Sequence, residues 1–282
     1  MADYIDIHSH LNFPEYDTDR ADVLARMKAA GVATITVGTN LETSRSAVAL
    51  AHEAAEKGVE VYACVGLHPA DDPAAEWGTA IAVEFETLAR DPRTVAIGEC
   101  GLDYFKIGTT RDGKVLTEEE IAAVKARQRE IFLAQIALAQ KVGKPLMIHC
   151  RDAYDDVYEI LAKAVKETKH GAGGKMLTGN MHFFAGDLET AQKFIDIGFT
   201  LSFTGVITFA RNYDDIIRSV PLESIMSETD APFVAPAPYR GKRNESTYVT
   251  EVVKKIAEVR GEDAEKVNKT ILKNAKRVFQ VS

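Results

Sequence analysis

Five of the seven histidines in this 282-residue chain fall where apolar, strand-like runs end: His8, His10, His68, His149 and His182. His52 and His170 fall in predicted helix or turn. Glu99 ends a fourth such run and Asp230 follows an eighth. Imidazoles and carboxylates converging on one rim can hold divalent cations. In Asp6-x-His8-x-His10 an extended chain turns all three side chains to one face and Ile7 and Ser9 to the other. Asp6 is then a further ligand, or an acceptor that orients a histidine. A catalytic zinc takes about three protein ligands and keeps a position open, so this donor set is too large for one ion. It suits two cations sharing a bridge. Strand order predicts His8, His10 and Asp230 on one ion and His149 and His182 on the other, with Glu99 spanning both.

The elements that must position these residues alternate in type. Strands are expected at 4–8, 33–38, 59–66, 95–99, 146–149, 176–184, 199–203 and 225–229. Helices are expected at 18–31, 42–57, 76–90, 118–142, 152–168, 187–197, 210–218, 247–260 and 263–279, with a flexible glycine turn at 171–174 and a polar loop at 232–246. Eight strands, each followed by a helix, predict an α/β fold: a (β/α)8 TIM barrel formed by one domain over 1–282, with a doubly wound open sheet as the alternative. A barrel favours function, because it brings all the strand ends named above to one rim.

Hydrophobic residues make up 46% and charged residues 27% of the chain, as in ordinary globular proteins. The net charge of −8 provides no global field for polyanions, so any nucleic-acid contact must rest on local cations or bound metal. Cys64, Cys100 and Cys150 are odd in number, widely spaced and set in apolar runs, which predicts buried thiols in a reducing compartment. Alternation turns Cys100 away from Glu99, Cys150 away from His149, and Met181 away from His182. No signal peptide, membrane span or obligate protein partner is expected, and the expected location is cytoplasmic.

Several segments together carry a family resemblance. They are Asp6-x-His8-x-His10, Gly98-Glu99-Cys100-Gly101-Leu102-Asp103-Tyr104, Ile148-His149-Cys150-Arg151, His182-Phe183-Phe184, Glu228-Thr229-Asp230-Ala231-Pro232, Arg240-Gly241-Lys242-Arg243-Asn244-Glu245 and Asn274-Ala275-Lys276-Arg277-Val278-Phe279. The chain resembles the TatD family of metal-dependent hydrolases, in the family's motif order, from residue 3 to about 280. The resemblance implies an amidohydrolase-like barrel, two divalent metal ions and phosphodiester hydrolysis on DNA. Three features depart from the family pattern: Ala70 stands where a second histidine is frequent, Phe183 and Ala185 follow His182, and the loop at 106–117 is long and polar. These bear on specificity more than on activity.

On this reading Asp230 is the general base, Glu99 bridges the metals, His68 and Arg151 hold the scissile phosphate, and Lys242 clamps the strand backbone. The cations at 240–243 have a blander alternative, a loop pinned by pairs such as Arg243 with Glu245. Tyr104 and Phe105 could stack on a terminal base or simply lid the barrel. The mixed nitrogen and oxygen donors admit zinc, manganese or iron, and family nucleases are often supported by magnesium. The acidic chain suits 3′–5′ processing of single-stranded ends better than binding along duplex. Hydrolysis of an aminoacyl-tRNA ester or a cyclic amide, or a non-catalytic nucleic-acid-binding barrel, are the competing readings. Barrels that act on cyclic amides often bridge their metals through a modified lysine on the fourth strand, and residues 95–101 contain none.

Overall fold

The computed structural model describes residues 2–70, 77–110, 113–170 and 176–281. The predicted turn at 171–174 and residue 76 of the predicted third helix lie outside the described residues. Eight strands form one sheet in sequence order: β1 (Tyr4–Ser9), β2 (Val32–Val37), β3 (Val61–Val65), β4 (Thr94–Asp103), β5 (Leu146–Arg151), β6 (Gly179–Met181), β7 (Phe199–Phe203) and β8 (Ile225–Ser227). All seven adjacent pairs are parallel. Just past β8, Asp230 N donates to His8 O at 2.9 Å and His10 N donates to Ala231 O at 2.7 Å, which closes the sheet into a barrel. The closing seam therefore runs through the residues that carry chemistry.

Helices α1 (Arg20–Ala29), α2 (Leu41–Glu56), α3 (Thr79–Ala89), α4 (Glu118–Val142), α5 (Tyr154–His170), α6 (Leu188–Asp196), α7 (Asp214–Ser219), α8 (Val249–Arg260) and α9 (Ala264–Phe279) follow the strands. Their starts and stops have local causes. α4 opens on a reciprocal cap, Thr117 Oγ1 accepting from Glu120 N and Glu120 Oε2 from Thr117 N. It ends at Gly143, whose φ of +69° a larger side chain would resist.

Two apolar layers result. The outer one lies between sheet and helices, where Val61, Ile97, Ile148 and Leu201 meet Phe85, Phe132 and Phe194. The inner one fills the lower barrel with Ile5, Ile35, Cys64, Met147 and Met226, and α9 closes it with Val278 and Phe279. Among the described residues no helix is long and apolar enough to cross a membrane.

The structure corrects three element boundaries. β4 runs on to Asp103, because Cys100–Asp103 stay paired with Ile148–Arg151 beyond a register shift. β6 is shorter than the predicted 176–184, because Phe183 takes φ +45° and breaks the extended backbone just after His182. The helix predicted at 210–218 is one short turn-and-a-half, preceded by a 3-10 turn over Gly205–Thr208 that Thr204 caps.

Candidate metal centre

Glu99 lies at the centre of the rim, buried, with its two oxygens facing different neighbours. Oε2 is 3.4 Å from His8 Nε2 and 3.9 Å from His10 Nε2. Oε1 is 2.9 Å from His149 Nδ1 and 3.6 Å from both His182 Nε2 and His68 Nε2. Asp230 Oδ1 completes the first side, 3.4 Å from His10 Nε2 and 3.8 Å from His8 Nε2. Gly101 makes the approach of β4 and β5 possible, since any side chain there would collide with the His149 carbonyl.

The donor set fits a cation. His10 Nδ1 donates to Val37 O at 2.9 Å, which turns its Nε2 into the cluster. There it faces His8 Nε2 at 3.2 Å, with two carboxylate oxygens close by. His8 Nδ1 is buried without a hydrogen-bond partner, and Glu228 Oε2 stands 4.0 Å from it. Burial, followed by the neighbouring His182 charge, holds His8 below its usual range, so its ring is neutral and fit to ligate. Burial raises the Glu99 carboxyl, but the imidazoles around it, His68 and His182 first, outweigh it and keep the group well below the ordinary carboxylate range. Asp230 behaves likewise: burial opposes its ionisation, and His10 leads the neighbours that restore it. Among the described residues three groups have ligand atoms close enough to share an ion: His8, His10 and Asp230; His8, Glu99 and His182; and His68, Asp103 and His149.

Two carboxylates behind the ligands were missed by sequence reasoning. Glu228 Oε2 accepts from His182 Nδ1 at 2.7 Å, and its Oε1 accepts from Phe183 N at 2.6 Å. Asp103 Oδ2 lies 3.1 Å from His149 Nε2, and Gln128 ties down the Asp103 backbone. A signal was present for both, since Glu228 is two residues before Asp230 and Asp103 four after Glu99.

Asp6 corrects the expectation drawn from Asp6-x-His8-x-His10. The pairing of β1 with β2 shifts register between Asp6 and Ser9, so alternation fails there. The Asp6 carboxylate joins none of the ligand groups and orients no imidazole. It accepts from Thr229 N at 2.8 Å, Thr229 Oγ1 at 2.6 Å and His8 N at 3.2 Å, fastening β1 to the segment before Asp230. Burial pushes it up to about 7.

A cavity of about 600 Å³ opens above the cluster, lined by Glu99, Asp230, His10, His149 and His182 together with His68 and Arg151. Arg151 is exposed and lies flat on the Phe105 ring at 3.5 Å. Phe183 and Ala185 line the same cavity. Lys242 is exposed on the loop after the barrel seam and does not reach the cavity wall. Its neighbours are engaged internally. Arg243 pairs with Asp19 at 2.6 Å and Arg240 donates to Ala235 O, while Glu245 is held by Arg26 at 2.7 Å. The pinning pair is thus Arg243 with Asp19, because Glu245 turns inward towards α1. Tyr104 is fixed by its hydroxyl on Asp156 at 2.7 Å, whereas Phe105 remains 41% exposed. All three cysteines are buried, and burial raises every thiol. Cys100 and Cys150 pack in the outer layer, as alternation requires, although Cys150 also touches the cavity wall.

The family model described as TatD related DNase matches residues 5–280. The chain belongs to the TatD family. Among TatD relatives, the Bacillus subtilis protein named uncharacterized metal-dependent hydrolase YabD is 36% identical over 98% of this chain and 99% of its own. The Pectobacterium parmentieri protein named 3′-5′ ssDNA/RNA exonuclease TatD is 30% identical over 98% and 99% of the two chains. The crystal structure of YjjV, a TatD homologue from Escherichia coli, superposes with a TM-score of 0.83 at 26% identity, covering 100% of this chain and 99% of the other. The protein is therefore a TatD-family metal-dependent hydrolase on a (β/α)8 barrel.

Proposed function

We propose that this hydrolase cleaves phosphodiester bonds at the 3′ ends of single-stranded DNA, using two divalent cations. The observation that carries the reading is Glu99, which divides its two oxygens between two imidazole sets beneath an open cavity. One ion would be held by His8, His10 and Asp230, the other by His149 and His182, with Glu99 shared. Bound there, divalent cations supply Lewis-acid activation of a water and of the scissile phosphate. Zinc, manganese and magnesium are the candidates, the mixed donors favouring the first two.

The chain's own groups do the rest. Asp230 reaches the cavity and takes the proton of the attacking water on its carboxylate. Glu228 and Asp103 set the ring orientations of His182 and His149. His68 hydrogen-bonds a non-bridging phosphate oxygen, and Arg151 grips the same group with its planar fork. Phe105 and Phe233, 41% and 47% exposed, offer stacking faces to bases. Lys242 meets the backbone further along the strand. The name of the Pectobacterium relative supports single strands and 3′–5′ polarity, and the net charge of −8 suits capture of an end.

End-labelled single-stranded DNA incubated with metal-free protein, each metal being restored singly, tests this. Stepwise loss of nucleotides from the 3′ end is expected, and Glu99→Gln should slow it on the order of 10³-fold, as for loss of one electrostatic element of a catalytic site. A folded protein that binds two ions yet cleaves no strand would overturn the substrate and direct attention to aminoacyl esters and cyclic amides.

A further inference from the structure

A second cavity of about 470 Å³ lies beside the first, between the segment after β3, the first half of α4 and the loop that joins β4 to α4. We propose that it is a nucleobase subsite, taking the base that flanks the scissile phosphate. This rests on the phosphodiester reading above.

The two cavities share a wall. His68 lines both. Phe105 lines the second cavity and carries Arg151, which lines the first, stacked on its ring at 3.5 Å. A phosphate held at His68 and Arg151 therefore directs one neighbouring nucleoside into the second cavity. The volume falls in the range usual for pockets that hold small ligands.

The lining suits a base, with apolar faces beside polar edges that include Lys106, Arg127 and Asp103. Ile107, Leu116, Val124 and Ile131 supply apolar contact for flat ring faces. Asp103 also borders this cavity and places an acceptor carboxylate on its wall. Arg127 faces the same space, and its Nε–H is buried without a hydrogen-bond partner. A buried donor left unpaired is costly, and the carbonyl and ring-nitrogen acceptors of a base edge would satisfy it. The wall is also built to keep its shape: Thr109 pairs with Val115 across the loop, and Leu116 N donates to Gly108 O at 2.9 Å. The long polar loop that departs from the family pattern thus finds a use.

The test is calorimetric titration of the full-length, manganese-loaded protein with two probes. One is a thymidine dinucleotide bridged by a phosphorothioate, the other a dimethyl phosphorothioate diester that has no base. Wild-type protein should bind the dinucleotide more tightly. Arg127→Gln and Val124→Trp, the latter filling the cavity, should each weaken dinucleotide binding at least tenfold while the Kd of the base-free diester changes less than twofold. Unchanged dinucleotide affinity in both variants would overturn the proposal. Equal weakening of both probes would overturn it too, since that marks a distorted metal cluster. Hydrolysis of bis(p-nitrophenyl) phosphate by the same preparations separates the two readings. If it is absent while the dinucleotide effects persist, the proposed function fails and the cavity is a base-binding site that flanks no scissile phosphate; if it is present with no dinucleotide preference, the subsite fails alone.

Discussion

In the lower barrel, Ile5, Ile35, Cys64, Met147 and Met226 fill the interior, and Val278 and Phe279 of α9 close it. Towards the other end of the strands, the upper barrel buries His8, His10, Glu99, His182 and Glu228. The two regions are continuous in space and follow opposite energetics. Apolar burial below contributes about 25 cal/mol for each Å² removed from water. Every ionised group above costs desolvation, which only its neighbours offset. Residues in the lower half are thus replaceable by others of similar volume, whereas those in the upper half are fixed by the charge and lone pairs they present. The contrast shows where stability is made and where it is spent.

The sharpest way to break this contrast is Phe279→Ala. Opening a cavity under the barrel should cost about 3–4 kcal/mol in denaturant unfolding. The kcat of the protein that remains folded should stay as it was. A fall in kcat in fully folded protein would show that the floor sets the geometry of the rim.

Metal acts on the upper half alone. Chelation should lower the melting temperature, and restoring an ion at one hundred times its Kd should return about 2.7 kcal/mol. Melting that ignores added metal would mean the rim ligands do not converge on an ion. Glu228→Gln probes the support behind His182. Metal affinity or kcat/KM should drop roughly 10–100-fold, with a smaller loss of stability than Phe279→Ala causes. If the order of the two stability losses were reversed, Glu228 would belong to the structural half.

Lys242→Ala lies outside both halves and should have the smallest effect. Single-strand binding should weaken slightly and lose about 0.7 from the slope of log affinity against log salt. An unchanged slope would remove this loop from the interface.

Much of the rim was legible because strand period and strand order act locally. Apolar runs ending in His8, His68, Glu99, His149 and His182 mark where each side chain leaves the sheet, and a barrel has one such end. The reading failed at Asp6, where a register shift between β1 and β2 overrides alternation. At 240–243 it allowed for internal pairs but named Glu245 for Arg243, whose partner is Asp19, more than two hundred positions away in the chain. Glu228 and Asp103 lie within four residues of recognised ligands, yet only their distances to His182 and His149 reveal what they do.

Alone, the sequence determined the fold class, the family and the residues that meet at one rim. The fold class and the rim follow from hydrophobic period and from residue types that ligate metals whatever surrounds them, and the family from the motifs and their order. Tertiary structure decided which oxygen of Glu99 faces which imidazoles, which carboxylates stand behind the histidines, and that a second cavity opens beside His68. These depend on approaches between distant strands and on a loop packing against α4, and no local pattern encodes a distance.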